Sequence, residues 1–254
     1  VEGVYIEVEF MIKFLRASKC YISSKRASPD FTTFDFDAAE YALKDVDLQI
    51  EQGEFVFFCG PNGAGKTTLL KMINVMEKPT SGQVIIEGTS SADMSGRKVA
   101  RLRRKIGMIL QDLRLLKGRT VEENVRIVLE VSSTHRETHT ARIVKILTYL
   151  DLLSKRDKYP PELSWGEQQK VSIARAIINH PTILLADEPT EKLDGAATDD
   201  IMTILRDVHL WGTTVLLASH DPDLKVTGAG RVVTLCDGEI TSDVVLNTTT
   251  RDSR

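Results

Sequence analysis

The octapeptide Gly60-Pro61-Asn62-Gly63-Ala64-Gly65-Lys66-Thr67 constrains the fold more than any other part of the chain. It meets every fixed position of the pattern G-x-x-x-x-G-K-[ST], after an apolar run at residues 55–59 and before a helical pattern at 66–76. The order is strand, glycine turn, helix. The glycines let backbone N–H groups turn inward around a phosphate chain, and the helix N-terminus adds positive potential. Lys66 is expected to reach the β- and γ-phosphates and Thr67 to ligate Mg2+, with Thr68 closing the cradle.

Many chemistries share such a loop, so a second element is needed to narrow the field. Residues 182–187 form an apolar strand pattern that ends in Asp187 and Glu188. Asp187 is expected to face the Mg2+ site. Glu188, one residue further, stands where a base or a water-orienting group meets a γ-phosphate.

Ahead of the loop, short strands are expected at residues 11–18, 46–50 and 54–59, and around Phe34 and Phe36, which alternate with Asp35 and Asp37. Together these read as antiparallel β. Residues 22–28 lead to Pro29 and read as loop. After Gly60, helical patterns at 66–76, Val121–Val131, 141–153, 166–179 and Gly195–Leu210 alternate with strand patterns at 83–87, 106–110, 182–187, 213–219 and 232–235. That alternation implies a mostly parallel sheet covered on both faces. Residues 1–10 read as an extension ahead of Met11, and residues 241–254, polar and threonine-rich, as a frayed tail.

Composition removes several alternatives. A chain of 254 residues with 42% hydrophobic content can build one sizeable domain, or a core with a small subdomain. The net charge of −3 creates no field that attracts nucleic acid, so a phosphate ligand must be held by a local site. Cys20, Cys59 and Cys236 are widely spaced and odd in number, which argues against disulfides and metal clusters and for a reducing compartment. Cys59 and Cys236 lie in apolar runs and are expected to be small buried hydrophobes. No run approaches the roughly 18–20 apolar residues that span a bilayer, and the first ten residues lack the cationic and apolar parts of a signal peptide.

Leu163-Ser164-Trp165-Gly166-Glu167-Gln168-Gln169-Lys170 resembles the signature of the ABC ATPases, usually L-S-G-G-Q/E. Trp165 replaces the first glycine, while Ser164 and Gly166 are kept at the start of a helix whose positive end can cap a γ-phosphate. Ser164 can equally be an ordinary N-cap. The resemblance extends over residues 11–240. It places Gln111 as the Q-loop glutamine and metal ligand, Asp194 in the D-loop behind an unusual Glu191-Lys192 lead-in, and His220 as the switch histidine. It also implies an aromatic residue stacked on adenine, for which Tyr21 is favoured over Phe36. The implied fold is α/β: a P-loop NTPase core of the ABC-ATPase type, with an N-terminal antiparallel β subdomain and a helical signature subdomain at about 112–180 within a domain of 11–240. Implied ligands are ATP and Mg2+, and implied assembly is a homodimer closed by ATP, with no nucleic acid.

Gln111-Asp112-Leu113-Arg114-Leu115-Leu116, followed by Thr120-Val121-Glu122-Glu123-Asn124-Val125, is similar to the bacterial cell-division ATPases of the FtsE family. Leu110 and Leu113 stand where that family has phenylalanines. The similarity implies an FtsX-like integral membrane protein as partner and a peripheral position on the cytoplasmic face of the plasma membrane. It also implies that ATP-driven closure signals to cell-wall hydrolases. The ATPase of an exporter or a lipoprotein-release system is the alternative, since it shares every catalytic motif. The basic run Arg97, Lys98, Arg101, Arg103, Arg104 and Lys105 reads either as a solvated helix face or as a contact for anionic headgroups.

Overall fold

A computed structural model describes residues 10–22, 39–132, 136–221 and 230–246. In chain order the elements are β1 (Ile12–Ile22), β2 (Ala39–Ile50), β3 (Phe55–Cys59), α1 (Lys66–Ile73), β4 (Ser81–Ile86), β5 (Thr89–Ser90), α2 (Gly96–Lys105) and β6 (Ile106–Ile109). They continue with α3 (Val121–Val131), α4 (His139–Tyr149), α5 (Trp165–Ile177), β7 (Ile183–Asp187), α6 (Gly195–Leu210), β8 (Thr214–Ser219), β9 (Arg231–Cys236) and β10 (Glu239–Val245).

The strands make two sheets. One is antiparallel, in the order β2-β1-β4-β5; the other runs β10-β9-β3-β8-β7-β6 and is parallel except at β10. β3 corrects the expectation that the antiparallel pattern persists to residue 59, because it lies parallel between β9 and β8. The reason is burial: all five β3 residues are buried, which requires a central strand covered on both sides. Side-chain alternation splits it between two cores. Phe55, Phe57 and Cys59 join the helices α3–α6, whereas Val56 and Phe58 join α1 and the antiparallel sheet through Ile12, Phe14 and Leu43.

Helix ends follow local chemistry. α3 starts at Thr120, whose hydroxyl accepts from Glu123 N–H while the Glu123 carboxylate accepts from Thr120 N–H. α1 stops short of the expected residue 76. Val75 takes a left-handed φ of 51°, and Arg103 donates to the carbonyls of Asn74 and Val75 at the helix's negative end. α4 likewise ends at Tyr149 rather than 153, with a short 3-10 turn at Leu153–Lys155.

Two further expectations change. Residues 241–245, assigned to a frayed tail, are strand: β10 pairs with β9, and Arg231 holds Asp243 through two hydrogen bonds of 2.8 and 2.7 Å. Cys236, expected to be buried, is exposed at the end of β9 beside the Asp237–Gly238 turn, while Cys59 is buried as expected. Phe34 and Phe36 lie outside the described residues, as do residues 1–9 and 247–254.

β6 and α5 approach closely only because residue 107 is glycine. A Cβ there would stand 2.4 Å from the Ala176 carbonyl oxygen. Gly107→Ala is therefore expected to destabilise the fold by about 1–3 kcal/mol, read as a lowered urea midpoint. An unchanged midpoint would show that the two elements can separate without cost.

Candidate active site

The parallel register brings four strand ends together. Cys59 stands opposite Ser219, Ala218 opposite Asp187, and Ala186 opposite Ile109. Adjacent strands lie about 4.8 Å apart, so Gly60, His220, Glu188 and the Gln111 loop leave the sheet side by side. In open α/β sheets, ligands bind beyond the carboxyl ends of the strands.

The phosphate loop runs from β3 into α1. Gly60, Gly63 and Gly65 have φ of 148°, 84° and 100°, values that side chains rarely tolerate. Gly65 is also packed against β2, since a Cβ on it would fall 2.3 Å from the Ala42 carbonyl oxygen. No side chain caps α1, so its first N–H groups face the loop interior as an anion site. Lys66 is buried and donates to the carbonyls of Gly60 at 2.8 Å and Pro61 at 3.1 Å. Pro61, Asn62 and Gly63 are exposed at the mouth, Ala64 is buried beneath it, and Thr67 and Thr68 are half-buried on the first turn.

Opposite Lys66 lie the carboxylates of Asp187, the last residue of β7, and of Glu188, which follows it. Asp187 accepts from the Thr67 hydroxyl at 3.0 Å. Burial pushes its carboxyl above the usual range, opposed by the Thr67 hydrogen bond. Glu188 adopts a left-handed φ of 47° and is nine-tenths buried. Its Oε1 stands 3.6 Å from Lys66 Nζ and 3.0 Å from His220 Nδ1, and its Oε2 accepts from the Ser219 hydroxyl at 2.9 Å. Because a carboxylate only accepts, His220 Nδ1 carries the hydrogen in this contact. In the sequence, residue 219 is only the end of a strand pattern; the Ser219–Glu188 contact follows from the β8–β7 register, which no local pattern displays.

Three oxygens suit a hard divalent cation: the Thr67 hydroxyl, the Asp187 carboxylate and the Gln111 amide oxygen. So small a protein donor set fits Mg2+, which keeps waters and completes its shell with phosphate oxygens. Gln111 Nε2 donates to Glu191 Oε2 at 2.9 Å, leaving its Oε1 available.

Tyr21 is 40% exposed, with Lys19 Nζ 5.1 Å from its ring centroid. The β1–β2 pairing sets Tyr21 opposite Glu40, on the strand whose Ala42 carbonyl Gly65 packs against.

A second group of expected residues gathers elsewhere. Ser164 caps α5, accepting from Glu167 N–H at 3.3 Å while the Glu167 carboxylate accepts from Ser164 N–H at 2.9 Å. Glu167 also pairs with Lys155, which with the Ser164 N–H holds its carboxyl below the usual range. Asp194 caps α6 through Ala197 N–H at 2.8 Å. A Cβ on Gly166 would stand 3.8 Å from Ala197 Cβ and 3.9 Å from Leu193 Cδ2. Ser164, Glu167 and Asp194 thus cap or pair at their own helix starts, and Gly166 brings the start of α5 against the segment at residues 193–197.

Residues 43–191 match the family described as ABC transporter. The cell division ATP-binding protein FtsE of Mycobacterium tuberculosis is 42% identical over 206 residues, covering 81% of this chain and 90% of that protein. The FtsE of Escherichia coli is 39% identical over 230 residues, covering 91% and 97%. Among solved structures, the dimeric bacterial ABC transporter cassette MJ0796 superposes with a TM-score of 0.82 at 34% identity, over 93% of this chain and 99% of that one. Its dimeric post-hydrolysis state bound to ADP and Pi gives 0.81 over the same shares.

Removing the buried ammonium leaves the phosphate loop with no cation at its centre. Lys66→Ala is expected to abolish nucleotide binding by calorimetry. Near-wild-type affinity in that variant would overturn the phosphate-loop assignment.

Proposed function

The chain belongs to the ABC transporter ATPase family, and from that premise we propose that it is the ATP-hydrolysing subunit of an FtsE-FtsX-like cell-division complex. Two copies close around two ATP molecules and signal to a membrane partner that regulates cell-wall hydrolysis. The observation that carries the catalytic reading is the position of Glu188, bound at once by Ser219 and His220 and facing Lys66. A carboxylate fixed on three sides can orient a water toward a γ-phosphate and accept its proton at Oε1 or Oε2. His220 keeps that carboxylate in place through Nδ1, and Lys66 supplies charge to the β- and γ-phosphates. Bound Mg2+, held by Thr67, Asp187 and Gln111, would neutralise phosphate charge. Tyr21 offers the ring for adenine.

Sharing of the site between copies is supported by where the second group points. The Ser164 hydrogen bonds stay within the start of α5, and Gly166 faces Leu193 and Ala197, so the γ-phosphate they cap is assigned to the other copy. The dimeric cassettes at 34% identity support the same arrangement.

A groove of about 450 Å³ supports the membrane partner. Its wall includes Leu110, Leu113, Val128 and Val131, with Arg104 and Arg175 at its polar side. Of the three leucines beyond Gln111, Leu113 lines this groove, Leu115 packs on the core, and Leu116 is exposed. The groove takes a short cytoplasmic segment of an FtsX-like protein, which seats the chain peripherally on the cytoplasmic face of the membrane. α2 borders the groove and carries six cations and no acid. Arg103 and Lys105 are engaged within the fold, while Arg97, Lys98 and Arg101 form no ion pair among the described residues and suit anionic headgroups. Among the described residues no helix is long and apolar enough to cross a membrane.

Glu188→Gln is expected to keep ATP binding, slow turnover by ~10²-fold or more, and accumulate an ATP-bound dimer by light scattering. A monomer with ATP bound would sink the shared-site reading.

Val131→Glu changes a side chain that is 70% exposed on the groove wall, so it leaves the core intact. Together with Leu113→Glu, it is expected to abolish co-purification with an FtsX-like protein while ATP affinity is retained. Unaltered co-purification of both variants would remove this groove from the interface.

A further inference from the structure

The chain departs from the usual ABC pattern at two places, Trp165 in the signature and Glu191-Lys192 ahead of Asp194. These departures touch each other. Lys192 Nζ stands 4.9 Å from the centroid of the Trp165 ring, within cation–π range. The neighbouring Glu191 reaches the opposite way, its Oε2 accepting from Gln111 Nε2 at 2.9 Å. One dipeptide therefore grips the Q-loop glutamine with one side chain and the signature helix with the next.

The backbone that presents the two side chains is held at both ends. Glu188 and Lys192 have left-handed φ of 47° and 68°. Glu191 N–H bonds to the Glu188 carbonyl at 3.3 Å, and just beyond Lys192 the Leu193 N–H bonds to that of Thr190 at 3.2 Å. Glu191 and Lys192 share an open cavity of about 330 Å³ with Glu188 and His220. Beyond Lys192 the tie to α5 continues, with Leu193 against Gly166 and Asp200 paired with Lys170 at 2.6 Å.

We propose that Glu191 and Lys192 are positioning residues that brace Gln111 to the signature helix, so that the face bearing Ser164 and Gly166 moves with Gln111. Each contact has a defined consequence. Glu191 can only accept, so it engages the Gln111 NH2 and turns Oε1 toward the cation side. Lys192 over the indole fixes the first turn of α5, where glycine would have left the helix start unrestrained. The inference rests on the shared-site reading above, because a braced signature helix matters only to a γ-phosphate on a second copy.

The test is a double-mutant cycle in the Glu188→Gln background, reading the ATP concentration that half-dimerises the full chain. Lys192→Met and Trp165→Leu keep bulk but remove the cation and the ring. Each is expected to raise that concentration about two- to fivefold, the pair together no further, and Lys192→Arg to restore it. ADP affinity of each monomer should remain unchanged. Independent multiplication of the two effects, or an equal loss of ADP affinity, overturns the brace. If the Glu188→Gln parent itself stays monomeric with ATP, the shared-site reading fails instead. The contacts are then decided by NMR: Glu191→Leu should shift the Gln111 side-chain amide and Glu191→Gln restore it, while Lys192→Met should shift the Trp165 indole N–H. Unmoved resonances refute the brace whatever the dimer does.

Discussion

Four parallel strands end side by side, and each hands the chain to a segment of the site: β3 to the phosphate loop, β8 to His220, β7 to Glu188 and β6 to the Gln111 loop. Their register depends on burial. β3, β7 and β8 are buried along their whole length, and shifting any of them by one residue would exchange the faces turned toward the two cores. Catalytic geometry here is therefore a by-product of hydrophobic packing, set at a distance from the chemistry.

The same burial places charge where it is costly. Lys66, Asp187 and Glu188 are each at least nine-tenths buried, and a buried charge survives only with partners. Lys66 has two carbonyls and Glu188; Glu188 has Ser219, His220 and Lys66; Asp187 has Thr67. Burial pushes the Asp187 carboxyl up, opposed by the Thr67 hydrogen bond and by the charges of Lys66 and Lys71.

Helix starts show two treatments of one dipole. α3, α5 and α6 spend theirs on side-chain caps from Thr120, Ser164 and Asp194. α1 begins at Gly65 with no side-chain cap, leaving its N–H groups for an anion. Ser164 is both cap and exposed surface, so its hydroxyl stabilises α5 and is open to a ligand at the same helix end.

The order of most elements and the core of the candidate chemistry were legible in the residues alone, although several element ends were not. Gly60–Thr67 and the Asp187-Glu188 pair could be read locally, because a phosphate loop and a strand-end acid pair obey short-range rules of backbone and charge, whereas Gln111 and His220 came only through the resemblance to the ABC ATPases. α3 and α6 lie where their periodicity put them. What the tertiary structure alone decided is partnership. That β3 is parallel and central, that residues 239–245 close the sheet edge, that Ser219 holds Glu188, and that Glu191 and Lys192 join Gln111 to Trp165 are all consequences of long-range register and packing. Contacts such as Gln111–Glu191, 80 residues apart in the chain, leave no periodic trace in a sequence, because only the folded sheet brings their elements within reach.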